Sequence, residues 1–221
     1  MWESACYKER DARAGQDRRP TYFSGGEQMK IYILRHGQTE MNSSKLLQSR
    51  SDTPLNETGI RQAQKTGEWL RENGIAFDMI FSSPLKRALD TARIAAGGGV
   101  PVITDDRLLE MDYGPYEGMN LKDPLPEIRR FFSDFINEKA PEGMEPLDAV
   151  VKRLGQFLED LAEKDLKGNI LVSTHAIAMK GALEYLDPNS NGSYWNRHIR
   201  NCSLYRSIYD AGHFSVPVEL L

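Results

Sequence analysis

Short apolar runs alternate with longer stretches of helical periodicity along most of this chain. Residues 31–34 form a compact apolar run rich in β-branched side chains, which predicts a buried strand ending at Arg35-His36-Gly37. Residues 60–70 carry Ile60, Ala63, Trp69 and Leu70 at helical intervals. Thr58 is the expected N-cap and Asn73-Gly74 the stop. A second strand is predicted at 77–81. Ser82-Ser83-Pro84 follows, with a serine cap and proline at the first helical position. That helix should run to Gly97-Gly98-Gly99, before a third strand at 100–104.

Residues 110–124 read as a loop rich in Gly, Tyr, Pro and acidic groups. Residues 126–137 look helical, with Ile128, Phe131, Phe132 and Phe135 on one side. The clearest amphipathic pattern spans 147–166, where Val150, Val151, Leu154, Phe157, Leu158 and Leu161 recur at helical spacing. A strand at 170–173 leads into Thr174-His175, a helix at 176–186 stops at Asp187-Pro188, and 203–209 alternates like a final strand. This β–α–β–α order predicts an α/β three-layer sandwich, with a mostly parallel central sheet flanked by helices. Ligands in such sheets sit beyond the carboxyl ends of the strands. The segment from about 105 to 146 interrupts the alternation and is the expected place for a small lid.

Composition narrows the function. The 221 residues carry 28 Lys+Arg against 32 Asp+Glu, a formal charge of −4, which argues against a dedicated nucleic-acid binder. No apolar run reaches the roughly 18 residues of a membrane span. Two cysteines, Cys6 and Cys202, are too few for a disulfide scaffold, and neither a zinc-ligand spacing nor an apolar leader is visible. A cytoplasmic protein with reduced thiols is expected, needing no metal and no cofactor. Residues 1–28 hold five basic and five acidic side chains without usable periodicity, so the rest of the chain carries the whole −4. This extension is expected to be a flexible arm or not native. Gly25-Gly26-Glu27 just before Met29 also fits a translated ribosome-binding site in a bacterial source. Residues 29–221 are expected to form one domain, and a homodimer stays open.

Three polar groups follow predicted strands: Arg35-His36, Ser82-Ser83-Pro84-Leu85-Lys86-Arg87 and Thr174-His175. If they converge, two histidines and two arginines share one cleft, a poor home for a cation and a good one for a phosphate dianion. Arginine offers bidentate donors to phosphate, and a neutral imidazole nitrogen can attack phosphorus. Taken singly, each of these residues, and Glu110 among Asp105, Asp106 and Asp112, would be unremarkable.

The run Ile33-Leu34-Arg35-His36-Gly37-Gln38-Thr39-Glu40-Met41-Asn42 resembles the signature of the histidine phosphatase superfamily, the phosphoglycerate-mutase-like proteins. Gln38 stands where that family commonly has Glu. Four more segments resemble the family in order: 52–59, 82–88, 109–118 and 171–175. The resemblance covers roughly residues 29–209. It implies that His36 is a nucleophile forming a phosphohistidine, that Arg35, Arg87 and His175 hold the phosphate, and that Asn42 is a further contact at the pocket rim. It implies that Glu110 is the general acid. Ala176 departs from the glycine often found after the second histidine, which should alter pocket shape rather than chemistry. His198 and His213 match no catalytic motif; His198 is expected at the surface or rim. Family mutases carry a long insertion after the acid loop, whereas only residues 119–140 stand there in this chain. That favours a phosphatase acting on a small phosphorylated metabolite over the alternatives, a cofactor-dependent phosphoglycerate mutase or a non-catalytic phosphate-binding module. The phosphatase acting on α-ribazole phosphate looks similar at this level.

Overall fold

The computed structural model describes residues 28–164 and 166–221. The strands are β1 (Met29–Arg35), β2 (Met79–Ser82), β3 (Val102–Thr104), β4 (Gly168–Thr174), β5 (Leu204–Asp210), β6 (His213–Phe214) and β7 (Val218–Glu219). The helices are α1 (Glu40–Ser43), α2 (Glu57–Glu72), α3 (Lys86–Ala96), α4 (Pro126–Ser133), α5 (Leu147–Glu163) and α6 (Ala176–Leu186). One sheet runs in the order β3-β2-β4-β1-β5-β6, with β7 also on β5. The pairs β3–β2, β2–β4 and β4–β1 are parallel, whereas β5 is antiparallel to β1, β6 and β7. The sheet is therefore mixed, with a parallel half that holds the strands expected to carry the site. The expected N-terminal extension lies outside the described residues except for Gln28, whose side-chain amide donates to Asp210.

The continuous apolar run of β1 follows from burial on both faces. Successive side chains point to opposite sides. Met29, Ile31 and Ile33 enter one core with Leu154, Phe157 and Leu158 of α5 and Met179 and Leu183 of α6. Tyr32 and Leu34 enter the other with Ala63 and Leu70 of α2 and Ala92 and Ala95 of α3. The excursion between β3 and α5 is not a detached flap: Ile128 and Phe131 of α4 are fully buried in the first core. Phe131, Phe132 and Phe135 contact one another edge to face at 5.0–5.4 Å.

Several local expectations change. The cap of α2 is Asn56 rather than Thr58; its Oδ1 accepts from the Gly59 amide at 2.9 Å. Helix α3 starts at Lys86 behind Leu85 with no side-chain cap, so Pro84 lies before the helix. The expected serine cap is absent because Leu85 holds the cap position; the Ser83 hydroxyl, three residues before the helix, meets His175 and the Leu85 amide. Helix α4 stops at Ser133, where Asp134 turns back with its own side chain on Asn137. Helix α5 stops at Glu163, and β6 and β7 lacked any sequence signal at two residues each.

The loop after β1 presses directly on α2. A Cβ on Gly37 would lie 2.5 Å from the Gly59 carbonyl oxygen, and one on Gly59 2.1 Å from the Gln38 carbonyl oxygen. Two backbones in contact cannot yield as a flexible side chain can. Gly59→Ala is expected to lower stability by about 1–3 kcal/mol, as overpacking does, read as a lower urea midpoint at unchanged slope.

Candidate active site

The parallel half of the sheet sets the site. β1 pairs with β4 so that Arg35 lies beside Thr174, and β2 pairs with β4 so that Ser82 lies beside Ser173. His36 and His175 therefore emerge side by side, with Ser83 one residue lower on β2, level with Thr174. Backbone bonds continue the ladder, from the His36 amide to Thr174 O at 3.0 Å and from the Ser83 amide to Ser173 O at 3.0 Å. The two imidazole rings stand edge to face with centroids 5.1 Å apart.

Each ring has one tautomer that satisfies its neighbours. Nδ1 of His36 is 2.7 Å from Gly37 O. A carbonyl only accepts, so Nδ1 carries the proton and Nε2 keeps its lone pair. Nδ1 of His175 accepts from Arg87 Nε at 3.2 Å, so its Nε2 carries the proton and donates to Ser83 Oγ at 2.8 Å. Both pKa values lie well below the ordinary 6.5. Burial is the main cause, followed for His36 by the positive charges of Arg87 and Arg35, and for His175 by Arg87 and then His36 and Arg35.

Arg87 is completely buried, and its two terminal nitrogens donate to Ser51 O and Ser49 O at 2.7 Å each. Burial lowers its pKa to about 10, so it stays charged at neutral pH. Arg35 donates through Nη1 to Ile199 O, while its Nε is buried without a hydrogen-bond partner. Burial pulls the Arg35 pKa down and the Glu110 carboxylate pushes it up.

Glu110 is buried at the N-terminus of α6. Its Oε1 accepts from the amides of Met111, Ile177 and Ala178 at 2.9, 3.1 and 2.9 Å; Oε2 accepts only a shared bond from Ile177 at 3.2 Å. An acid here answers the open amides and positive dipole end of the helix. Asn42 belongs to a tight network. It completes a capping box with Thr39, donates to Gln48 at 3.3 Å and accepts from Asn201 at 3.3 Å.

These groups border a recess of about 310 Å³. Arg35, His36, Asn42 and Glu110 line it directly, whereas Arg87 and His175 stand behind His36 and are not among its lining residues. His198 is exposed at its edge, and His213 lies away from it on β6. Gln48, Tyr113, Lys180 and Arg197 also line the recess but were not singled out in the sequence. Lys180 had a readable signal, because Ile177 and Lys180 share a face of the helix that follows the second histidine. The Ser83 role had none, since a Ser-Ser-Pro run reads equally well as a cap. Among the described residues no group of three or more His, Cys, Asp or Glu side chains is placed to hold a metal ion, and no helix is long and apolar enough to cross a membrane.

Comparison with known proteins finds relatives over most of the chain. The chain is 32% identical over 186 residues to the probable phosphoglycerate mutase GpmB of Yersinia pestis, covering 82% of this chain and 85% of that one. A phosphoserine phosphatase mutant from Entamoeba histolytica, solved with phosphoserine, superposes with a TM-score of 0.72 at 27% identity, over 87% of this chain and 95% of that one. A putative α-ribazole-5′-P phosphatase from Escherichia coli gives 0.75 at 27% identity, over 87% and 96%. The model of the histidine phosphatase superfamily (branch 1) matches residues 31–218. With residues 31–218 matched by that model, the chain belongs to the histidine phosphatase superfamily.

Proposed function

We propose that this protein hydrolyses small organic phosphomonoesters through a phosphohistidine at His36, without a metal. The observation that carries the reading is the pairing of a neutral, correctly tautomeric His36 with the unpartnered buried Nε of Arg35 beside it. A buried guanidinium donor without an acceptor is costly, and a phosphate oxygen in the recess satisfies it. Arg35 and Arg87 also make the surroundings of His36 positive, which favours an anion over a metal cation. Phosphatases among the similar structures support the same class of reaction.

Nε2 of His36 attacks phosphorus, forming the N–P bond as the ester P–O bond breaks. Protonated Glu110 gives its proton to the leaving oxygen. Water then attacks the phosphohistidine, and the Glu110 carboxylate takes the proton as the N–P bond breaks. Oε2 has the fewer hydrogen bonds and is the oxygen free for this exchange. Arg87 holds His175 and the two serine carbonyls, so its charge reaches the phosphate from behind His36. Leu121, Phe132 and Phe135, from the 105–146 segment read as a lid, wall the recess.

A second reading, phosphoglycerate mutase, is favoured by the Yersinia relative's name. Incubation with 3-phosphoglycerate, with and without 2,3-bisphosphoglycerate, separates the two. Free phosphate is expected, and isomerised product without phosphate release would replace the first reading by the second. On an aryl phosphate, His36→Ala should lose about 1,000-fold or more in kcat, as loss of a nucleophile does, while EDTA leaves the wild type unchanged. Strong inhibition by EDTA would remove the metal-free mechanism.

Glu110→Gln should cost about 100-fold or more on alkyl phosphates, within the range of general acid catalysis. It should cost much less on aryl phosphates, whose leaving oxygens need no proton; equal losses would exclude Glu110 as the acid.

The neutral histidines also carry a pH dependence. Their native pKa values are depressed, so the unfolded chain binds more protons below its ordinary pKa of about 6.5. Their contribution is fully present above that value and is lost as pH falls below it toward the depressed native pKa values. Urea midpoints should therefore drop from pH 7 to pH 5. In NMR titrations of the free protein neither His36 nor His175 should be protonated at pH 6.5.

A further inference from the structure

Lys180 belongs to no part of the chemistry described above. It is 8% exposed, lines the recess, and sits on α6 one turn beyond the amides that hold Glu110. Its Nζ donates to Trp195 O at 2.6 Å and lies 4.8 Å from the centroid of the Phe135 ring. An ammonium has three donors to satisfy. No carboxylate of the described residues lies within 4 Å of it, whereas the less buried Arg153 pairs with Glu145 at 2.7 Å. A buried lysine without an ion-pair partner is expensive unless a ligand supplies the charge.

We infer that Lys180 reads a carboxylate on the leaving group of the substrate, and so makes this protein selective for phosphomonoesters of small carboxylic acids. The inference rests on the phosphatase reading above and extends it to the other end of the substrate. The rise from Ile177 to Lys180 is about 4.5 Å along the helix axis, so the carboxylate lies within a few bonds of the ester. One buried ammonium balances one negative charge, which fits a carboxylate better than a second phosphate dianion. Arg197 does not add a second buried cation; it is exposed and lies 4.6 Å from the centre of the Tyr194 ring. Phe135 against the ammonium, with Phe132 and Ile177 lining the same recess, lowers the local dielectric around the pair.

Two probes of matched size isolate the charge: 3-phosphoglycerate and glycerol 3-phosphate, which differ by a carboxylate in place of a hydroxymethyl group. The measurement is the ratio of their kcat/KM values, which does not depend on the fraction of active enzyme. The wild-type ratio should be about tenfold or more, and Lys180→Met should bring it close to one, as truncation of a buried charge partner does. Burial brings the Lys180 pKa down to about 8, with Glu110 raising it and Arg35 lowering it. In the wild type the ratio should therefore fall as pH rises through about 8. Arg197 and His198, the other basic groups at this end of the recess, should be replaced singly by Gln to show that the fall persists.

A wild-type ratio near one, or an undiminished ratio in Lys180→Met, would overturn the inference while aryl phosphate hydrolysis kept the phosphatase reading intact. If Lys180→Met gives no active protein, a wild-type ratio independent of pH between 7 and 9 would overturn it instead. A preference for fructose 1,6-bisphosphate over fructose 6-phosphate that Lys180→Met removes would reassign the partner to a phosphate. No hydrolysis of any probe would remove both readings together.

Discussion

The structure depends on the parallel register of β1, β4 and β2. Because Arg35 pairs with Thr174 and Ser82 with Ser173, three chain segments distant in sequence leave the same edge of the sheet within one residue of each other. The two histidine rings meet because of this, and no side-chain contact has to be arranged to bring them there. The remaining bonds of the site are consequences. Arg87 reaches His175 from the helix after β2, and Ser83 takes the proton side of the same ring. A slip of one residue in a strand would turn its whole set of side chains to the other face. The burial of β1 on both faces holds the register: Ile31 and Ile33 are committed to one core and Tyr32 and Leu34 to the other.

Backbone contact locks the loop that follows. Gly37 and Gly59 let the turn after β1 rest on the start of α2 with no side chain between them. The Gly37 amide donates to Thr91 of α3, and Asn201 donates to His36 O from the loop before β5. The backbone around His36 is thus held by α3 and by the loop before β5, more than a hundred residues apart in sequence. Its Nδ1 proton is given to the carbonyl of the next residue, which settles the tautomer without a carboxylate partner.

Electrostatics are local here. The chain has a net charge of −4, yet Arg35 and Arg87 dominate the surroundings of the paired histidines. Glu110 is the acid nearest to both guanidinium groups in effect, and it is tied down by the amides of α6 rather than by either arginine. That arrangement leaves the arginine charge directed at a ligand. It also sets Glu110, held by the first amides of α6, within about a turn of the buried ammonium of Lys180 on that helix, so both groups take their positions from one rigid element.

Much of this was legible in the chain itself. The short apolar runs and helical-period stretches located the central strands and α2 to α6, because those patterns report burial on one face or two. The strand-end placement of Arg35-His36 and Thr174-His175 followed from the same patterns, since ligands meet open α/β sheets at strand ends. Local sequence was less able to choose among equivalent caps. Asn56 and Thr58 are both good N-caps, and only the fit of α2 against Gln38 decides for Asn56. Ser83 looked like a helix cap until His175 was brought beside it. The antiparallel direction of β5 and the short β6 and β7 depend on long-range pairing that no local periodicity records. The helix face of Lys180 can be read from its spacing to Ile177, but its burial is set by Trp195 and Phe135. The sequence by itself determined which segments bury apolar surface and which residues could do phosphate chemistry, because both are properties of side chains and their spacing. Only the tertiary structure decided ring tautomers, the partners of each arginine and the burial of Lys180, because those depend on groups tens of residues away.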